Sequence, residues 1–182
     1  MPGHDAASLR RTSAGAMLSG MAVFDEGGPT ALGYTVHSDR WWRTTEAHVG
    51  GWRGSEAVDL RLRRSAESTW TVNGVSCPDV DGCVDLDLNF TPATNLLALR
   101  RLALVPGQAA EVRSAWLQWP ERRLTPLTQR YACRSRTEYG YEADLPGPSL
   151  FRAELRVHPQ GWVLDYGGIW QAEALLGTGP QA

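Results

Sequence analysis

Residues Asp81–Leu104 read DGCVDLDLNFTPATNLLALRRLAL. Two acids, Asp85 and Asp87, sit one residue apart in an apolar run. A Thr-Pro turn follows, and a second apolar run carries Arg100 and Arg101. On a strand, alternate side chains share a face. Asp85 and Asp87 then point one way, and Val84, Leu86 and Leu88 the other. Pro92 cannot donate to a ladder, which makes Thr91–Asn95 the connection and Leu96–Val105 the expected return strand. With Phe90 opposite Leu96, Asp85 falls opposite Arg101; one step of slip sets Asp87 against Arg100. Either register brings a guanidinium to a carboxylate, so cross-strand ion pairing is the cheapest account of four charges in an apolar hairpin. Two acids left unpaired on a buried face would each carry a heavy desolvation cost or be forced to protonate.

Period two continues on both sides of this hairpin. LGYTVHSDRW, VDLRLRRS, FRAELRVH and WVLDYGGIW all alternate. Gly-Gly, Asn-Gly, Pro-Gly and His-Pro-Gln-Gly punctuate the chain, with tight turns expected at Val72–Gly74 and Val105–Gly107. Met17–Phe24 reads as a first strand, and only Gln108–Ser114 has a helical look. Many short strands with regular turns predict an all-β fold: a sandwich, a barrel or a rolled sheet. One domain is expected over 13–173, with flexible tails at 1–12 and 174–182.

Composition narrows the function. The net charge of −2 argues against a nucleic-acid partner, which needs a concentrated basic surface. The chain has no lysine, so Schiff-base and P-loop chemistry are excluded. No apolar run is long enough to span a membrane. Arg10-Arg11 ahead of AGAMLSGMAVF loosely resemble a twin-arginine export signal, but that stretch lacks a small-x-small cleavage site and runs into Asp25-Glu26. A cytoplasmic protein is expected. Cys77, Cys83 and Cys133 then read as free thiols, although Cys77 and Cys83 flank a short PDVDG segment across which they could meet.

Neither a metal nor a cofactor is expected. From Asp79 the acids fall at positions 1, 3, 7 and 9 with glycine at 4, which is not a calcium-loop spacing. The histidines at 4, 37, 48 and 158 show no paired ligand spacing. A carboxylate-pair hydrolase needs one acid with a raised pKa and a second that stays ionised. Asp85 and Asp87 stand close enough, but adjacent arginines would lower both.

Eight tryptophans are a heavy load for 182 residues. Core filling accounts for several. Others, with Tyr131, Tyr139, Tyr141 and Tyr166, fit the wall of a cavity for an amphipathic ligand, the kind of cavity curled sheets hold.

The block DGCVDLDL-x-x-TPATNLLALRRL resembles the signature of the bacterial putative glycolipid-binding family. GYTVHSDRWWRTTEAHV, STWTVNG, QRYACRSRTEYGYEA and FRAELRVHPQGWVLDYGGIW are similar to further motifs of that family, in the same order over about residues 32–172. Ala93, Ala98, His158 and Gly167 depart from its pattern. The resemblance implies a spiral β-roll, a single antiparallel sheet curled into an incomplete barrel, and a glycolipid or lipid-like ligand.

The combined expectation is a non-catalytic binding protein. Its candidate ligand residues are Asp85, Asp87, Arg100, Arg101, Trp42, Trp70, Gln129, Tyr131, Tyr139, Tyr141 and Tyr166, with an arginine facing the polar head. Two alternatives stand beside it: a hydrolase or transferase on a sugar conjugate using Asp85 or Asp87, and a structural or protein-interaction module.

Overall fold

The structure is a computed structural model that describes residues 2–147 and 150–175. It is all-β and curled, as expected, with the strands in two seven-stranded sheets. The first holds β1 (Gly3–Arg11), β2 (Gly15–Asp25), β3 (Pro29–Asp39), β4 (Thr44–Arg53), β5 (Glu56–Arg64), β6 (Trp70–Val72) and β7 (Val75–Ser76), each hydrogen-bonded antiparallel to the next. The second begins with β8 (Asp85–Leu88). It then runs through β9 (Ala109–Gln118), β10 (Arg123–Ser135), β11 (Glu138–Asp144), β12 (Leu150–Val157), β13 (Val163–Tyr166) and β14 (Trp170–Gln171). The Thr44 amide donates to the Val84 carbonyl at 2.9 Å and ties the two sheets together.

Alternation drives these strands. In β3, Thr30, Leu32, Tyr34, Val36 and Ser38 are buried and their neighbours are not. In β5, Val58, Leu60 and Leu62 turn inward while Asp59, Arg61 and Arg63 face water. The expected Asn-Gly turn forms between β6 and β7, with Asn73 and Gly74 both at positive φ.

The stretch after β8 departs from expectation. Asn95–Leu102 is not a return strand but a helix, α1. Pro92 opens a short 3-10 turn ahead of it, where the Thr91 hydroxyl accepts from the Ala93 amide. Leu96, Leu97, Ala98 and Leu99 are buried, and Ala103 closes the helix in the left-handed conformation. Arg100 and Arg101 occupy the last turn, where they complement the helix dipole. The helix is a crossover: β8 pairs with β9 in parallel, and parallel neighbours cannot be joined by a tight hairpin. The segment with the helical look, Gln108–Ser114, instead lies largely in β9.

Helix α1 divides the core. Leu96 and Leu97 join Leu18, Leu32, Leu62 and Trp70 of the first sheet. Ala98 and Leu99 join Leu127, Tyr131, Tyr141 and Leu155 of the second. Each fully buried leucine contributes about 2 kcal/mol of transfer free energy.

The N-terminal stretch also departs. Gly3–Arg11, expected as a flexible tail, is an edge strand whose Leu9 packs against the first core cluster. Of the expected C-terminal tail, 176–182 lie outside the described residues. No helix among the described residues is long and apolar enough to cross a membrane.

Candidate functional site

Two sites emerge, one on each side of α1. The first is a polar network in the second sheet. Arg101 reaches from the last turn of α1 to β8, donating from Nε and Nη2 to the two oxygens of Asp85 at 2.8 and 2.6 Å. Asp85 is 3% exposed, so this is a buried, two-pronged ion pair. The expected partnership of Asp85 with Arg101 is present, made by a helix against a strand.

Asp87 has a different partner from the one expected. Arg100 does not reach it; Gln129 does, its Nε2 donating to Asp87 Oδ2 at 2.5 Å. The same nitrogen donates to the Tyr141 hydroxyl at 2.7 Å, while Gln129 Oε1 accepts from the Ser114 hydroxyl at 2.6 Å. Both N–H donors and the oxygen of the side-chain amide have partners, which suits its near-complete burial. An amide offers Asp87 no charge, so burial dominates and pushes its carboxyl up to about 6, against the pull of the Gln129 hydrogen bond.

Aromatic rings enclose the network. Tyr141 stands edge-on to Tyr131 at 5.1 Å and to Tyr166 at 5.5 Å. The Tyr131 hydroxyl donates to Asn95 at the start of α1 at 2.7 Å. Burial raises the pKa of all three phenols, and the neighbouring phenol and Asp87 add to it at Tyr166. Two other candidates lie apart. Trp70 is a core residue whose indole donates to the Cys83 carbonyl at 2.9 Å. Tyr139 pairs across the sheet with Cys133, and burial pushes its phenol up to about 12.

The second site is a cleft of about 1270 Å³ between the two outer edge strands, β1 and β14. Met21, Val23, Ile169 and Leu175 are exposed apolar side chains, and all four line it. Trp162 and Trp170 add indole surface. Among the charged wall residues, Asp5 accepts from the Tyr34 hydroxyl at 3.0 Å and from the Thr91 hydroxyl at 2.7 Å. Burial raises its pKa in spite of both donors. Gly20 makes this possible, because a Cβ there would collide with the Tyr34 ring. At one end His4 bridges to Glu173 at 3.3 Å. At the other lie Arg11 and Arg100. Arg100 Nε and Nη2 both donate to the Gln160 carbonyl, at 2.8 and 2.5 Å.

Of the predicted residues only Arg100 lines this cleft. Trp42 sits beside it, its ring 5.3 Å from the guanidinium carbons of both Arg11 and Arg100. The part of the wall that β1 supplies went unread because that strand has a single large apolar residue, Leu9; Met21, Val23, Trp162 and Trp170 lie in stretches read as strands but not as a site. The free thiols at Cys77, Cys83 and Cys133 touch neither site's polar partners, apart from a weak Arg113–Cys83 contact beside β8.

A family model described as "Putative glycolipid-binding" matches residues 1–172. The crystal structure of a DUF1089 family protein from Pseudomonas aeruginosa superposes with a TM-score of 0.81 at 30% identity, covering 94% of each chain. No curated protein matches the chain.

Proposed function

The chain belongs to the putative glycolipid-binding family, and from that premise we propose that it holds an amphipathic molecule, a glycolipid or lipid-like relative, in the cleft between β1 and β14. The observation that carries this is the cleft itself. Its volume of about 1270 Å³ exceeds that of pockets for drug-sized ligands, and its wall is apolar along Met21, Val23 and Ile169 yet charged at both ends. Exposed apolar side chains gathered along one concave surface mark an interaction site, whereas singly scattered ones would not. The ligand's apolar part lies along the exposed side chains and its polar head at a charged end. The role is binding, without chemistry on the ligand, in a cytoplasmic protein whose thiols stay reduced.

Trp162 and Trp170 report on occupancy. Titration with dodecyl maltoside, with native mass spectrometry in parallel, shifts tryptophan emission and adds the detergent's mass to the folded protein. A protein that carries no amphiphile from purification, and responds to none added, rules the reading out.

One observation favours a second reading. Arg101 pairs with Asp85 alone while burial raises Asp87, so the two carboxyls do differ in environment, as a glycoside hydrolase requires. Under this reading, folded protein turns over nitrophenyl glycosides and Asp87→Asn abolishes the turnover. Absence of turnover across pH 4–8 removes it.

A further inference from the structure

We propose that Arg11 and Arg100 clamp an oxyanion, so that the amphiphile in the cleft carries an anionic, phosphate-type head; the inference rests on the cleft reading above. The two arginines come from distant parts of the chain, β1 and the last turn of α1, and converge on one ring. Their guanidinium carbons each lie 5.3 Å from the centre of Trp42. Among the described residues, eight of the other sixteen arginines (61, 63, 101, 122, 123, 130, 134 and 152) stand against a carboxylate and eight do not. Arg11 and Arg100 have no such partner among the described residues; what sets them apart is that both line the cleft and share one ring.

The other charged groups of the cleft leave this pair unneutralised. His4 and Glu173 are engaged with each other. Asp5 lies six positions from Arg11 along the same strand, about 20 Å away, and is occupied by Tyr34 and Thr91. Burial, and then the Arg11 charge, lowers the pKa of Arg100. Gln160 takes the Nε and Nη2 edge of Arg100, which leaves its Nη1 side and the fork of Arg11; two mutually repelling cations on a cleft wall are a standing site for an anion, and guanidinium donors match phosphate oxygens.

Trp42 is held in place at a cost. Its φ is +67°, a backbone conformation rare for a bulky residue. The Asp39 carboxylate enforces it, accepting from the Trp41 and Arg43 amides at 2.9 Å each. A strained turn that sets one indole against two guanidiniums is consistent with a binding role for the trio.

The test compares dodecyl phosphate with dodecyl maltoside, which share a tail, below their micelle concentrations. Wild-type protein binds the phosphate about tenfold more tightly at low salt. Raising ionic strength from roughly 0.02 to 0.3 M erodes that preference. In the double variant Arg11→Gln/Arg100→Gln the preference disappears, so that the ratio of the two affinities falls to about one, with circular dichroism as the check on folding. Inorganic phosphate alone binds far more weakly than the amphiphile. Equal affinity for the two detergents, a preference that salt does not touch, or one that survives the double variant overturns the clamp and leaves the cleft reading standing. Inorganic phosphate binding as tightly as dodecyl phosphate assigns the site to a free anion and overturns the amphiphile head. Binding of neither detergent overturns clamp and cleft reading together.

Discussion

Arg101 and Arg100 are adjacent on α1, about 100° apart around the helix axis, and they face opposite fates. Arg101 turns into the second sheet and closes two hydrogen bonds on Asp85. Arg100 turns toward β1 and β14 and finds a backbone carbonyl, an indole and another arginine. In the network the buried polar groups find partners within the chain: Asp85 has Arg101, Asp87 has Gln129 on one oxygen, Tyr131 has Asn95. At the charged end of the cleft the donors are not matched by acids. Satisfied polar groups fix a structure, and unsatisfied ones on a concave wall remain available to a ligand. On the reading proposed above, the network holds the fold and the cleft takes the ligand.

The largest expected effect breaks the network. Arg101→Met strands the buried Asp85 carboxylate and lowers unfolding free energy by about 3–5 kcal/mol, read from denaturant midpoints. Adding Asp85→Leu removes the stranded charge and recovers most of the loss. A single variant that costs less than about 1 kcal/mol would mean the pair is not the buried fastener described here. Cleft binding in the double variant stays close to wild type, which separates the two sites.

Asp87 gives the next largest effect, with a definite sign. Burial pushes its carboxyl up to about 6 in the folded protein, from 3.8 for an exposed aspartate. The folded state thus holds this proton more tightly than the unfolded state. Stability from this group grows as pH falls through 6 toward 3.8 and is lost as pH rises above 6. The swing is about 1–3 kcal/mol. Asp87→Asn keeps an acceptor for Gln129 and removes the titration. Urea midpoints at pH 5 and pH 8 should therefore converge in the variant, with the gain at pH 8. A variant that keeps the full wild-type pH slope assigns that slope to other groups.

The contrast between the two arginines also shows what could be read from the sequence. Asp85 against Arg101 was legible because any compact return from β8 brings the two together, by hairpin or by helix. Asp87 against Arg100 was not. In a strand, slipping the register by one step exchanges the two pairs, but a helix sends consecutive side chains to different quarters. The helix itself was hidden by its length. In eight residues, LLAL followed by RRL fits a buried strand as well as a helical face, and Ala103 at the cap lacks the usual glycine. The long strands were legible because Leu, Val and Tyr alternate with charge in β3 and β5. β1 carries His, Asp, Ala and Ser with only one large apolar residue, because its inner face borders a cleft rather than a packed core. Weak periodicity in that strand and an open wall in the structure have the same cause.

The smallest expected change in stability sharpens the comparison from the cleft side. Met21 is 56% exposed and Ile169 is 65% exposed, each on a different edge of the cleft. Exposed side chains contribute little to folding, so Met21→Ser and Ile169→Ser each shift stability by no more than about 0.5 kcal/mol. The same side chains offer apolar contact to an alkyl tail at about 25 cal/mol per Å² covered. Each variant should then weaken dodecyl maltoside several-fold, and the two together about tenfold, while denaturant midpoints hardly move. Their loss should be equal for dodecyl maltoside and dodecyl phosphate, because the tail is shared and only the head meets Arg11 and Arg100. Unchanged affinity in the double serine variant would remove the tail from this wall. A loss confined to the phosphate detergent would instead place Met21 and Ile169 at the head, reversing the orientation of the ligand in the cleft.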